Sequence, residues 1–306
     1  MYALVTGSRG FVGPYLLAAL RTRGAKVFEF DPTLDIRDAA AVSQEVENFA
    51  ELIPSGEIGV VFHLAAMSHV GKSWDNPSEV VGVNVGGSAN LLASLAKAGF
   101  QGRFVYVSSA EVYGNQPGVD LLTETHPRLP LTPYAASKLA AEEFVLQMHR
   151  AHSIDVVIAR PFNHIGPGQS ENFLVSAIAR RIADAARSGK SSIEVGNLGA
   201  VRDFLDVRDV VNAYCEIAVL GICGEIYNIS SGVGRSVRDV VAEMIELSGA
   251  ELELVVSPSL ARGIEVPRLV GDSSKLFSAT GFVPRQSLEA TLQDVLKYWR
   301  GRQAAS

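Results

Sequence analysis

Apolar positions along the chain fall into two periods. Short, mainly apolar runs at residues 2–6, 26–30, 59–64, 103–108 and 155–159 read as strands. Strands without polar alternation are covered on both faces, as in a parallel sheet. Between them, residues 15–23, 39–50, 77–98 and a run beginning at Pro133 place apolar side chains every three or four positions and read as helices. Asp38 is placed to cap the second of these helices. Strand and helix in alternation predict an α/β architecture, a Rossmann-type doubly wound parallel sheet.

The pattern changes after residue 159. Arg160-Pro-Phe-Asn-His-Ile-Gly-Pro-Gly-Gln169 interrupts regular structure. Beyond it, helices are expected at 172–187, 208–220, 236–248 (capped by Ser236 or a neighbour), 272–280 and 288–299. Strands are expected at 192–195, 203–207, 225–229 and 251–256, and 301–306 reads as a frayed tail. The reading is a first domain over 1–164, with a returning segment at about 203–229. A smaller mixed α/β domain over 165–306 is interleaved with it.

Composition narrows the classes. The 306 residues are 47% hydrophobic and 20% charged, with net charge −6 and no basic block. That argues against a nucleic-acid or anionic-membrane surface. No apolar run approaches the ~18 residues of a membrane span. The N-terminus enters a strand at once, without the pattern of a signal peptide. Cys215 and Cys223 read as reduced packing residues, and no His or Cys spacing suits a metal. A cytoplasmic protein is the expectation.

The chemistry-bearing stretches sit at strand ends. Gly7-Ser8-Arg9-Gly10-Phe11-Val12-Gly13 joins a strand to a helix, with glycines every third position. Gly7 suits a tight turn. Gly10 lets backbone approach a pyrophosphate at the helix N-terminus, and Gly13 allows close helix–sheet packing. Asp31 follows the second strand, 18 residues after Gly13. A carboxylate there accepts from ribose hydroxyls and repels a 2′-phosphate, which favours NAD(H) and leaves NADP(H) as the alternative. Asp35 or Ile36 is placed to meet the adenine. Ala65-Ala66 makes a small exit from the third strand. His63 is either a base or a strand-end histidine with a backbone partner. Ser68 lies in a loop that can face a substrate. Asn84 reads as a hydrogen-bond donor into the active centre or as a buried residue holding a loop. The Tyr134-Ala-Ala-Ser-Lys138 segment puts a phenol and an ammonium four residues apart on one helical face. An adjacent cation would draw the phenol from its usual value of about 10 toward neutral pH. Ser109 ends the fourth strand, where Tyr134 could share a hydrogen bond with it.

With the glycine turn, Ser109, Tyr134 and Lys138 in place, the chain resembles the extended short-chain dehydrogenases/reductases over its full length. That resemblance implies enzymes acting on nucleotide-sugars, commonly homodimers joined through a four-helix bundle. It makes Ser109, Tyr134 and Lys138 catalytic. It ranges Gly7, Gly10, Phe11, Val12, Gly13, Asp31, Asp35, Ile36, Leu64, Ala65, Ala66, Asn84, Val107, Pro161, Tyr134 and Lys138 along the cofactor. Ser68, Ser109, Asn163, Arg202, Arg262 and Glu265 fall to the substrate, with both arginines on its diphosphate. A structural ion pair of Arg202 with the adjacent Asp203 is the competing reading there.

The stretches 160–169 and 196–209 look most like the members that reduce the 4-keto group of GDP-4-keto-6-deoxy-D-mannose to GDP-D-rhamnose. Dehydratases of the same family use an acidic residue at the position of Glu111, and some carry an Asp at the position of Ala110. Glu111 is therefore an open candidate. GDP-mannose 4,6-dehydratase, a 4-epimerase and a non-catalytic NAD-binding regulator are the alternatives, in that order.

Overall fold

A computed structural model of the chain describes residues 1–260 and 266–303, so Arg262 and Glu265 lie outside the described residues. The mainly apolar runs form strands as expected: β1 (Tyr2–Thr6), β2 (Lys26–Glu29), β3 (Gly59–His63), β4 (Arg103–Val107) and β5 (Asp155–Pro161). They alternate with α1 (Gly13–Thr22), α2 (Ala39–Glu51), α3 (Pro77–Val81), α4 (Gly87–Lys97) and α5 (Pro133–His152). β1 and β3 are buried at every position, which explains their lack of polar alternation. Asp38 caps α2 by accepting from the backbone N–H groups of Ala40 and Ala41. Thr132 caps α5, with Pro133 in its first turn.

The second half contains β6 (Asn163–Ile165), α6 (Leu174–Ser188), β7 (Ser192–Val195), β8 (Val201–Asp206), α7 (Val207–Leu220), β9 (Ile226–Ile229), β10 (Gly234–Ser236), α8 (Val237–Ser248), β11 (Glu253–Val256), β12 (Arg268–Leu269), α9 (Ser274–Thr280) and α10 (Leu288–Gln303). Six parallel strands make the main sheet in the order β2-β1-β3-β4-β5-β9. The chain leaves β1 toward β2 and returns on the other side as β3. The carboxyl ends of β1 and β3 are thus the topological switch point, where open α/β sheets bind ligands. One face of the sheet packs on α1 and α7, the other on α2, α4 and α5. A third core lies among α6, α8, α10 and β7.

Four details depart from the sequence reading. The helix expected over 77–98 is interrupted by a π-helical stretch, Gly82–Gly86, centred on Asn84. β8 pairs with β6, β10 and β12 rather than with the main sheet, while its Leu205 packs into the main sheet's core. Leu276 and Phe282 also enter the core of the main sheet, a second return of the chain. The last helix continues through Gln303, so 301–303 belong to α10 instead of a frayed tail. Cys215 is buried and Cys223 exposed, and both are free thiols. Among the described residues no helix is long and apolar enough to cross a membrane, and no group of His, Cys, Asp or Glu is arranged to hold a metal ion.

Candidate active site

The glycine turn and the exit of β3 are built against each other. Gly7 is left-handed (φ +69°), and a Cβ there would lie 2.7 Å from the Ala65 nitrogen. Gly13 leaves no room either, because a Cβ would stand 2.1 Å from the Ser8 carbonyl oxygen. Thr6 Oγ1 accepts from the Ala65 N–H at 3.1 Å and meets His63 Nδ1 at 2.7 Å. His63 Nε2 meets Ser88 Oγ at 2.9 Å, and Ser88 donates to the Asn84 carbonyl at 2.6 Å. The consistent assignment has the proton on Nε2 and Thr6 donating to Nδ1. Burial pushes the His63 imidazole down to about 3, so it is neutral at pH 7. His63 is therefore a strand-end residue, held by side chains rather than by the expected backbone partner.

Asn84 has a structural task. Its Oδ1 accepts from the Met67 N–H at 2.8 Å, and Nδ2 donates to the Met67 carbonyl and to Ser137 Oγ at 3.2 and 2.9 Å. Both amide protons are committed, which leaves none for a ligand. The π-helical stretch thus ties the loop carrying Ser68 to the helix carrying Tyr134 and Lys138.

A cleft of about 820 Å³ opens over the switch point. Gly7, Gly10, Phe11, Val12, Gly13, Leu64, Ala65, Ala66, Val107 and Pro161 line one part. Ser68, Ser109, Glu111, Tyr134, Lys138, Asn163 and Arg202 line the rest. The fold thus gathers candidates spread over two hundred residues of sequence. Asp31, Asp35, Ile36 and Asn84 stand outside this lining. Asp31 follows β2, and the Thr33 N–H and hydroxyl hold its carboxyl below the usual range, helped by the charge of Arg9. Asp35 is paired with Arg37 on the surface. Ile36 is buried in the core, where it would collide with any Cβ on Gly87.

Tyr134 and Lys138 are both buried, 8% and 3% exposed. Burial pushes the Tyr134 phenol up to about 12, against a hydrogen-bonding effect of Ser109 and with a further upward push from Glu111. The expectation that Lys138 draws this phenol toward neutral pH is therefore corrected: desolvation dominates. The same burial brings Lys138 down to about 7. Its ammonium lies 4.7 Å from the centroid of the Tyr106 ring. Ser109 Oγ accepts from the Glu111 N–H at 3.2 Å, which fixes the turn that follows β4.

Asp203 is not spent on Arg202 as the competing reading had it. Its carboxylate accepts from Ser231 N–H and Oγ at 2.8 and 2.6 Å and from the Gly232 N–H at 3.0 Å. Arg202 donates to its neighbour's carbonyl and lines the cleft. Sequence reading missed Ser108, Phe173, Arg181 and Asn197, which also line it. Arg181 and Phe173 sit on or beside an amphipathic helix whose pattern reports only its core face. The Phe11 ring stacks on His164, centroids 5.9 Å apart, and joins the glycine turn to the second half of the chain.

These residues fit a dinucleotide. Backbone fills the space that side chains would occupy at Gly7 and Gly13, the N-terminus of α1 faces the cleft, and the buried Ser108 hydroxyl has no hydrogen-bond partner among the described residues.

Comparison with known proteins places the chain. The family model described as GDP-mannose 4,6 dehydratase matches residues 4–295. GDP-6-deoxy-D-mannose reductase of Pseudomonas aeruginosa is 36% identical over 304 residues, covering 97% of both chains. GDP-6-deoxy-D-talose 4-dehydrogenase of Aggregatibacter actinomycetemcomitans is 32% identical, again over 97% of each. The structure of RMD from Pseudomonas aeruginosa complexed with NADPH superposes with a TM-score of 0.88 at 34% identity, covering 98% of this chain and 99% of that one. With its parallel sheet, glycine turn and cleft, the chain belongs to the GDP-mannose 4,6 dehydratase family of extended short-chain dehydrogenases/reductases.

Proposed function

We propose that the protein is a nucleotide-sugar oxidoreductase that reduces the 4-keto group of GDP-4-keto-6-deoxy-D-mannose to give GDP-D-rhamnose. The observation that carries this reading is a buried phenol lining the cleft together with Ser109, one helical turn from the Lys138 ammonium. A reduction needs a donor that still carries its proton when the alkoxide forms. A phenol pushed up to about 12 keeps that proton at neutral pH and gives it up to the far more basic alkoxide.

A reduced nicotinamide cofactor supplies the hydride. Gly7, Gly10, Gly13, Phe11 and Val12 would hold its phosphates, and Leu64, Ala65, Ala66, Val107 and Pro161 its remaining length. Tyr134 donates to the carbonyl oxygen of the sugar. Ser109 hydrogen-bonds the same oxygen and stabilises developing charge there. Lys138 orients the cofactor's ribose and supplies positive charge beneath Tyr134. Asn163, Ser68 and Arg202 hold the substrate, the arginine through its diphosphate. Arg262 and Glu265 complete that set in this reading. Asp31 favours NAD(H); Arg9 beside it, and the NADPH in the Pseudomonas aeruginosa structure, make NADP(H) the second candidate. A cytoplasmic homodimer joined through a four-helix bundle goes with this assignment. Trp74 and Val81, 53% and 49% exposed at the start of the α3–α4 region, suit such a contact.

Ala110, buried after Ser109, supplies no acid for expelling a hydroxyl, which favours reductase over dehydratase. Glu111 in the cleft is the observation that keeps a dehydratase as the second reading. Incubation with GDP-4-keto-6-deoxy-D-mannose and NADH or NADPH separates them. Stoichiometric oxidation of added cofactor is expected, and redox-neutral product formation would overturn the proposal. Tyr134→Phe should lower turnover by roughly 10²–10⁴-fold while cofactor and GDP-sugar still bind. Near-normal turnover in that protein removes Tyr134 from its role.

A further inference from the structure

Glu142 and Arg160 form an ion pair in which both side chains are 0% exposed. Arg160 Nε donates to Glu142 Oε1 at 2.9 Å and Nη2 donates to Oε2 at 2.6 Å, a bidentate fork. Nη1 donates to the Tyr113 hydroxyl at 2.9 Å, and the Tyr113 ring lies 4.9 Å from the guanidinium. Tyr113 in turn donates to Asn228 Oδ1 at 2.6 Å. Burying two charges is expensive, and an apolar pair of similar volume commonly serves stability as well or better. Stability alone gives no reason for this pair.

Its position supplies one. Tyr134, Lys138 and Glu142 follow one another at four-residue intervals on α5, so they form a single buried stripe. Arg160 immediately precedes Pro161 in the cleft wall, and Tyr113 closes the turn that Ser109 opens. The pair therefore connects the helix of the phenol and ammonium with the other two segments that shape the reacting end of the cleft.

The groups facing Lys138 come from three elements. Tyr106 reaches it from β4, His63 from β3, and Tyr134 and Glu142 share its own helix. Burial raises both phenols, Tyr106 and Tyr134, and lowers the imidazole, so all three are neutral at pH 7. Glu142, held in its ion pair with Arg160, is the charged partner that acts on Lys138, opposing the burial that would strip its proton. Of the two members of the pair, Glu142 is the one that stands a single helical turn from Lys138 on α5.

We infer that the Glu142–Arg160 pair is a positioning device for the reaction: a fixed dipole whose carboxylate, one helical turn from Lys138, favours the charged ammonium behind Tyr134, with Arg160 aiming that carboxylate. The inference rests on the assignment of Lys138 made above. A cation with a depressed titration is lost as pH rises, so activity should fall along an alkaline limb set by Lys138. Removing the Glu142 charge moves that limb to lower pH. One opposite charge a helical turn away in a buried site shifts a titration by about one pH unit or more.

The test compares wild type with Glu142→Met/Arg160→Met, which removes both charges and leaves neither partner stranded. The readouts are kcat/KM across pH about 6 to 10 and thermal unfolding. The expected result is a folded protein whose alkaline limb lies lower by about one unit or more. Glu142→Asp, which keeps the charge, should return the limb toward wild type. A folded double variant with the wild-type profile overturns the inference, and so does one that cannot fold, since a structural need would then account for the pair. Lys138→Arg tests the underlying assignment separately. A guanidinium stays charged beyond pH about 12, so the limb should leave the measured range. A limb unmoved by Lys138→Arg defeats the assignment of Lys138. One that Lys138→Arg moves but the double variant does not defeats only the role of the pair.

Discussion

The two walls of the cleft are made of different material. The wall over β1 and β3 is backbone and small residues: Gly7, Gly10, Gly13, Ala65 and Ala66. Added Cβ atoms at Gly7 and Gly13 would fall 2.7 and 2.1 Å from neighbouring main chain. The facing wall is made of side chains, Asn163 from β6, Arg181 from α6 and Arg202 from β8, on elements of ordinary geometry. Main-chain N–H groups and a helix terminus suit what all ligands of one class share, a phosphate chain. Side chains suit what distinguishes one ligand from another, and can change without disturbing the fold. The first wall should therefore fail abruptly when altered, the second by degrees.

Gly13→Ala is the sharpest way to break that contrast. Its backbone conformation is helical, so the penalty is purely steric. The atom in the way is the Ser8 carbonyl, which cannot yield unless the whole turn is rebuilt. Overpacking a tight site costs about 1–3 kcal/mol and often more, and here the displaced atoms also belong to the proposed cradle of the cofactor. Affinity for NADH and NADPH should fall by more than about 100-fold, a loss of roughly 3 kcal/mol, with a lower melting temperature. Titration calorimetry and thermal unfolding measure both. Affinity within a few-fold of wild type would mean that the turn is more pliant than the comparison holds.

Arg202→Ala probes the other wall. Losing one charge-assisted contact to a diphosphate removes about 1.5–3 kcal/mol, or roughly 10–100-fold in KM for the GDP-sugar. Turnover at saturation and cofactor affinity should change little, because in its proposed role the arginine would hold substrate equally before and during reaction. An equal loss in cofactor affinity would show that the walls are not separate.

The same contrast decides what could be read from sequence. The first wall was legible because its constraint is written as residue type. Only glycine fits where main chain approaches main chain, and three of them at fixed spacing between a strand and a helix announce the turn. Ser109, Tyr134 and Lys138 were legible because strand ends and helical spacing place them. The π-helical stretch was not, because Gly82–Gly86 carries the same periodicity as the helices around it; only the loop contacts of Asn84 reveal it. Arg181 and Asn197 were hidden for a related reason: hydrophobic period reports which face is buried and says nothing of which polar side chain borders a cleft. The direction of the Tyr134 shift was misread because sequence shows the neighbouring charge but not the burial that outweighs it.

The smallest effect at neutral pH concerns the foundation of the first wall. His63 joins Thr6 beneath Ala65 to Ser88 on α4, and burial keeps it neutral with its titration depressed to about 3. A group whose folded titration lies below its unfolded value of about 6.5 contributes stability that is complete above that pH. The contribution is lost as pH falls toward 3, by up to about 1.4 kcal/mol for each unit. His63→Gln lacks that ionisation. It should melt lower than wild type at pH about 8, having lost a hydrogen bond worth about 1 kcal/mol, and the gap should narrow as pH drops below about 6. Carboxylates shared by both proteins cancel in the difference between their melting curves, so the difference isolates residue 63. Parallel curves would show that the imidazole already escapes to solvent in acid, and that the ground under the glycine turn is looser than the turn itself.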